Sequence, residues 1–307
     1  MIFKNRDVLL VSSPLQVLCA IEWKKNNSNS TLIIRHTSKD SEKIIYDLLE
    51  KYEEVAIHLK PFSNKIHKNL VTFSFVCFYI LLSKGKLLLG DFQFSKFNQY
   101  ISYVFKFKNQ FLMDDGYATI SFQKKLASKH SHLNLFTIFD LENMLLRRQT
   151  IIKNNLNILN KHKDPVIFDA LFIGTDEVSK EWLGGKKEYI NHIKEIIDKF
   201  KLSKLYYVPK IHGHAFKADD LEEINQIEEI EILETSGLIE TYLDQENIFF
   251  NKAFSHLSTA LFSLKTLEFI DKPFFITSKI IKKNKIIAEV HQSAIELIKD
   301  IEFVDIK

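Results

Sequence analysis

Short runs of β-branched and other apolar residues alternate along this chain with longer stretches whose apolar positions recur every three or four residues. The first run, 7–13 (DVLLVSS), ends in Ser-Ser-Pro and passes into LQVLCAIEWKK, which has helical spacing. That pattern predicts a strand, a tight turn and a helix. Pro14 falls in the first turn, where the N–H it lacks would have no intrahelical partner. A second strand is expected over 30–36 (STLIIRH), then an amphipathic helix over 40–52 with Ile44, Ile45, Leu48, Leu49 and Tyr52 on one side. Runs at 53–59, 85–91 (GKLLLGD) and 109–116 (NQFLMDDG) predict three more strands, and the region 126–162 reads as mostly helical. Strands alternating with helices imply a parallel sheet joined by crossovers.

The pattern breaks at 162–176 (HKDPVIFDALFIGTD), where Pro165 follows a charged helix end and a strand begins at 169–174. The domain boundary is therefore expected near residue 162, giving domains 1–162 and 163–307, with the last helix free to pack back on the first domain. A second alternation follows: a helix over 187–200, a strand over 203–210 and a helix from 219 to 226. Strands or strand–helix junctions complete it at 227–234, 247–254 and 272–277. Two consecutive α/β halves predict two Rossmann-like domains facing a central cleft. Ligands in such sheets sit beyond the carboxyl ends of the strands.

Composition narrows the class. With 46% hydrophobic and 26% charged residues among 307, the chain can bury a sizeable core, which excludes disorder as its main state. The net charge of +3 comes from lysines interspersed with glutamates, the pattern of a solvated surface rather than a nucleic-acid interface. Cys19 and Cys77 lie in apolar runs without metal-like spacing, so buried reduced thiols are expected, as in the cytosol. Ser12, Ser13, Pro14 and Gln16 break the first apolar stretch, unlike a secretory signal. The segment 70–82 (LVTFSFVCFYILL) is too short to span a bilayer and is expected as a buried helix, because its polar positions form no basic face. Eight glycines and no glycine-rich loop argue against a P-loop or dinucleotide cradle.

Four polar clusters fall at expected strand ends: Ser12-Ser13, Asp114-Asp115-Gly116, His212-Gly213-His214 and Ser258-Thr259. A carboxylate after the fifth strand could serve as a general base or close a capped turn. The two Asp side chains would point opposite ways on an extended backbone, and Gly116 allows a sharp turn. His212 and His214 share a face if extended. They could bind metal, meet a phosphate or simply be solvated, and no carboxylate or Cys stands beside them at ligand spacing. Ser258 and Thr259 either form an anion site or cap a helix, and Ser13 with Gln16 either touches ligand or caps one.

The order of these clusters resembles that of bacterial sialyltransferases, nearest to the lipooligosaccharide sialyltransferases and their capsular polysialyltransferase relatives. The likeness rests on Ser13-Pro14-Leu15-Gln16, Asp114-Asp115-Gly116, the segment from Lys210 to His214, Ser258-Thr259 and LFIGTDEVSKEWLGGKKEYINHI at the start of the second half. One departure stands out: the family's His is followed by Pro, whereas here Gly213 follows His212 and Ala215 follows His214. The resemblance implies a GT-B fold, a CMP-linked nonulosonic acid as donor and a lipooligosaccharide or capsular glycan as acceptor. It also implies inversion at the anomeric carbon with no metal or further cofactor. Asp115 would then be the base with Asp114 supporting it, and His214, or else His212, would assist phosphate departure. Ser258 and Thr259 would hold the phosphate, and Gly116, Ser13, Gln16 and Gly174 would complete the substrate contacts. Another CMP-linked ulosonic acid, a different nucleotide sugar, or a non-catalytic glycan-binding relative are the other readings. The expected location is cytoplasmic, with peripheral inner-membrane association and a homodimer both left open.

Overall fold

A computed structural model describes residues 6–36, 38–59, 66–92, 95–114, 119, 130, 132–139, 149–159, 164–175, 183–210, 218–235, 237–256, 258–283 and 301–306. The chain divides into two compact units, Met1–Ile158 and Leu159–Lys307. The sequence put the division at residue 162.

The first unit is built on a seven-stranded parallel sheet. Its strands are β1 (Asp7–Val11), β2 (Ser30–Arg35), β3 (Ala56–Leu59), β4 (Leu87–Leu89), β5 (Gln110–Met113), β6 (Leu133–Thr137) and β7 (Ile151–Lys153). They lie in the order β3-β2-β1-β4-β5-β6-β7. Leu9 of β1 pairs with Leu32 on one side and Leu88 on the other. Val8–Val11, Leu32, Ile33, Ile34 and Leu87–Leu89 are all buried, the continuous apolar run expected of strands covered on both faces. The helices are α1 (Pro14–Asn26), α2 (Lys39–Lys51), α3 (Ile66–Leu82) and α4 (Lys96–Val104). The chain moves one way along the sheet from β1 to β3 and the other way from β3 to β5. Right-handed crossovers therefore put α1 and α2 on one face and α3 and α4 on the other.

Two expectations for this unit are corrected. The described residues of the region 126–162 form β6 and β7 where helix was expected; 126–129, 131, 140–148 and 160–162 lie outside the described residues. In HLNLFTIF a short buried parallel strand has no alternation, and periodicity cannot separate it from helix. The helix over 70–82 exists but is not buried: Val76 and Ile80 face the core, while Leu70, Val71, Phe75, Phe78, Leu81 and Leu82 are exposed. Cys77 is accordingly half-buried, and only Cys19 is fully enclosed. Among the described residues no helix is long and apolar enough to cross a membrane.

The second unit repeats the plan with β8 (Val166–Ile173), β9 (Leu205–Val208), β10 (Ile230–Ile232), β11 (Ile248–Ser255), β12 (Ile270–Thr277) and β13 (Glu302–Asp305). These are parallel, in the order β10-β9-β8-β11-β12-β13. Its helices are α5 (Lys186–Phe200), α6 (Ala218–Asn225), α7 (Ile239–Gln245), α8 (Ala260–Thr266) and α9 (Lys279–Lys283). Phe172, Tyr189, Ile193, Tyr207, Phe254 and Ile276 form much of its core. The edge strand β13, unexpected from the sequence, pairs with β12 from Phe274↔Glu302 to Thr277↔Asp305. In each unit the strand order reverses beside the first strand, at β1/β4 and at β8/β11. Such switch points open crevices at the carboxyl ends of the strands.

Candidate functional site

At the first switch point, Ser13 caps α1 by accepting a hydrogen bond from the Gln16 backbone N–H at 3.4 Å. The Gln16 side chain folds back in turn. Its Oε1 accepts from the backbone N–H groups of Ser12 at 2.9 Å and Ser13 at 3.3 Å, which completes a capping box. Gln16 is fully buried, and a Cβ on Gly90 would lie 2.3 Å from its Oε1. Glycine at position 90 thus lets the end of β4 close on this clasp. Ser13 and Gln16, expected at the substrate, are engaged in building the turn.

Next to the clasp, Arg35 Nη2 donates to Asp91 Oδ2 at 2.9 Å, and the Ser12 side chain hydrogen-bonds the same carboxylate. Burial pushes Asp91 above the ordinary carboxylate value, and Arg35 and Ser12 oppose that shift. Desolvation likewise lowers Arg35. Asp91 has φ +47°, a left-handed conformation that Asp tolerates better than most residues. At the ends of β2 and β3, His36 Nε2 and His58 Nδ1 share a hydrogen bond at 2.8 Å. The His58 ring stacks on Tyr46 at 4.8 Å. Desolvation, then the neighbouring His36, lowers the His58 pKa. Sequence reading missed this group, although GKLLLGD did display a carboxylate at a strand end.

Asp114 is fully buried at the end of β5. Its Oδ1 accepts from Thr137 Oγ1 and its Oδ2 from the Ile138 backbone N–H, both at 2.6 Å. Thr137 Oγ1 accepts in turn from the Phe139 N–H at 3.1 Å. Asp114 therefore straps β5 to β6 and fixes the chain one residue before Asp115. Asp115 and Gly116 lie outside the described residues, as do His212 and His214.

At the second switch point, Gly174 donates its N–H to Val208 O at 2.8 Å. A Cβ there would come within 2.6 Å of the Tyr207 hydroxyl, which hydrogen-bonds the buried Tyr189 hydroxyl at 3.1 Å. Burial raises the Tyr189 pKa, so its hydroxyl stays protonated. Ser255 Oγ donates to Ile173 O at 3.1 Å and accepts from the Ser258 N–H at 3.0 Å. Ser258 Oγ accepts from the Ala260 N–H at 3.2 Å, and Thr259 heads α8 without a side-chain cap bond. Ser258 and Thr259 thus stand just past His256 and Leu257 after the end of β11, with Ser258 tied through Ser255 to the end of β8.

Two further groups lie at this edge that the sequence reading passed over, though His256 stands inside AFSHLST. His256 Nε2 and His192 Nδ1 are 3.1 Å apart, both rings buried, and desolvation lowers His192. Glu240, in the first turn of α7, is buried with its carboxyl accepting from the Ser263 hydroxyl of α8. Burial raises its pKa. Among the described residues, no three His, Cys, Asp or Glu side chains are arranged to hold a metal ion.

No family model matches the chain, and neither does any curated protein. Solved structures do match. The UDP-GlcNAc 2-epimerase of Methanocaldococcus jannaschii, in complex with UDP-GlcNAc and UDP, is 15% identical with a TM-score of 0.58 and covers 98% of this chain and 89% of its own. An α/β-galactoside α-2,3-sialyltransferase from the luminous marine bacterium Photobacterium phosphoreum is 13% identical with a TM-score of 0.56 and covers 98% of both chains. Acinetobacter baumannii MurG is 8% identical with a TM-score of 0.52, over 98% of this chain and 86% of its own. With two parallel Rossmann-like sheets and these neighbours, the chain has the GT-B fold.

Proposed function

We propose that the protein is a cytoplasmic glycosyltransferase that moves sialic acid or a related nonulosonic acid from its CMP conjugate to a lipooligosaccharide or capsular glycan. The reading is of an inverting, metal-independent transfer. The observation that carries it is the seat of Ser258 and Thr259 between the end of β11 and the start of α8, with Ser258 linked by Ser255 to the end of β8. That is the edge of a Rossmann-like sheet where a nucleotide's phosphate belongs. The motif order and the fold shared with the Photobacterium phosphoreum sialyltransferase support it.

In this mechanism Asp115 takes the proton of an acceptor hydroxyl as that oxygen attacks the anomeric carbon. The bond from that carbon to the CMP phosphate oxygen breaks, and CMP leaves with the electron pair. His214, with His212 as the alternative, meets the charge that develops on the phosphate, together with the hydroxyls of Ser258 and Thr259. The Asp114 strap holds the backbone from which Asp115 extends.

A UDP-linked sugar is the second reading, favoured by the likeness to the epimerase described with UDP-GlcNAc and UDP. Calorimetry with CMP, CDP, UMP, UDP and GMP, with and without magnesium, decides between them. CMP is expected to bind without magnesium, and Ser258→Ala to weaken it by roughly tenfold, the worth of a hydrogen bond to a charged group. Binding of UDP without binding of CMP transfers the assignment to the second reading.

A further inference from the structure

From Leu70 onward α3 is apolar apart from Thr72, Ser74 and the Tyr79 hydroxyl, yet only one side of it is covered. Val76 and Ile80 are fully buried against the sheet, while Leu70, Val71, Phe78 and Leu81 stand outward, Val71 at 69% and Leu81 at 62% exposure. A helix apolar all round normally lies inside a protein or against lipid. The surface continues onto the next helix. Phe73 packs on Phe97 at 5.7 Å and on Tyr100 at 5.4 Å, and beyond them Tyr103 is 70% and Phe107 71% exposed. Contiguous exposed apolar surface of this kind marks an interaction site.

Charge identifies the occupant. Between residues 55 and 113 Asp91 is the single acid among eight lysines; of these Lys86 lies over the Trp23 ring of α1 and Lys108 donates to Ser83 O, so neither belongs to this face. That one acid is turned inward to Arg35. Lys84, Lys96 and Lys106 are exposed beside the apolar residues, and Lys106 Nζ lies 5.6 Å from the centre of the Tyr103 ring. A second copy of the chain is a poor fit, because a two-fold interface would set these lysines against one another. An anionic bilayer is complementary on both counts: acyl chains for the apolar side chains, headgroup phosphates for the ammonium groups. At 17 residues α3 is about 26 Å long, shorter than a spanning helix needs and consistent with lying in the plane of the interface.

We infer that the outward face of α3 and α4 docks the protein on the surface of a membrane containing anionic phospholipid. This surface belongs wholly to the first unit and does not depend on which nucleotide sugar the protein uses.

The test is vesicle co-sedimentation of the full-length protein, with phosphatidylglycerol–phosphatidylcholine vesicles against phosphatidylcholine alone. The parent protein should partition onto the anionic vesicles and be released by raised salt, which shortens the reach of the lysine charges. Phe78→Glu/Leu81→Glu and, separately, Lys84→Glu/Lys106→Glu should each weaken partitioning by at least about tenfold, with thermal unfolding unchanged. Should the Phe78/Leu81 pair fail to fold, Tyr103→Glu/Phe107→Glu puts the same question to the other helix. Absence of parental binding, or variants that bind as the parent does, overturns the inference. So does a lipid-free dimer that these glutamates convert to monomer without any vesicle binding.

Discussion

Arg35, at the end of β2, reaches past β1 to pair with Asp91, beyond the end of β4, Nη2 to Oδ2 at 2.9 Å. The two strands are not neighbours, so the pair spans the first switch point and ties together the two directions in which the sheet was built. Both side chains are largely withdrawn from water, at 12% and 20% exposure. Removing only the cation leaves a carboxylate that has lost its hydration and its partner. Arg35→Met should therefore cost about 2–3 kcal/mol in urea unfolding, somewhat below the range for fully buried pairs. Arg35→Met/Asp91→Asn, which removes both charges and keeps a residue that tolerates the left-handed backbone at position 91, should recover most of that loss.

Gly90 is fixed by its neighbour rather than by its own backbone angles. Gly90→Ala drives a methyl into Gln16 Oε1 and should cost about 1–3 kcal/mol, the range for overpacking a filled site. Gln16→Ala alone loses the capping box and should cost about 1 kcal/mol. In the double variant the clash no longer exists, so the two losses should fall short of additive in an unfolding cycle.

Asp114 and Asp115 are adjacent but are assigned different work, and kinetics separates them. Thr137→Val removes one of the bonds to Asp114 and should lower stability by about 1.5–3 kcal/mol, the worth of a hydrogen bond to a charged group. Asp115→Ala should leave stability and CMP binding nearly unchanged while cutting transfer by at least about 100-fold, the scale of a positioned base. Transfer persisting in Asp115→Ala at close to the parental rate removes that residue from the mechanism.

The pair of His192 and His256 predicts an acid-sensitive second unit. Desolvation holds His192 below its usual pKa against the opposing pull of Glu188 and Glu195, and its Nδ1 already shares one proton with His256. The unfolded chain takes up a proton more readily than the folded one. Stability contributed by a neutral His192 is thus complete above pH about 6.5 and declines as pH drops below that value. Thermal unfolding between pH about 7.5 and 5 should show the decline, and His192→Gln should flatten it relative to the parent. His58 and His132 in the first unit are lowered too, so some slope remains in the variant.

Legibility in the sequence followed how local the cause was. The turn at Ser13-Pro14 could be read because the cap, the proline and the helix it starts lie within a few residues of each other. The stripe of Ile44, Ile45, Leu48 and Leu49 on α2 repeats at helical spacing and is buried as expected. The strands β6, β7 and β13 were missed because strands this short announce themselves by their neighbours in the sheet, not by their own pattern. The outward face of α3 was misread because an unbroken apolar run does not say which side is covered. At the site, strand ends could be found from polar residues that follow apolar runs. The Arg35–Asp91 and His192–His256 pairs join residues 56 and 64 positions apart, beyond the reach of any local motif.

The strand order also sets a timetable for assembly. β1 pairs with β4, about 80 residues further along the chain, through Val8↔Leu87 and the two pairs after it. A ribosome adding roughly 5–20 residues per second keeps the first strand waiting several seconds for that partner. The apolar helix α3 emerges during the delay, before the strand that completes the sheet beneath it. Until then even the side of α3 destined for the interior is open to water, so early capture by a chaperone or a nearby bilayer would spare the nascent chain from clumping.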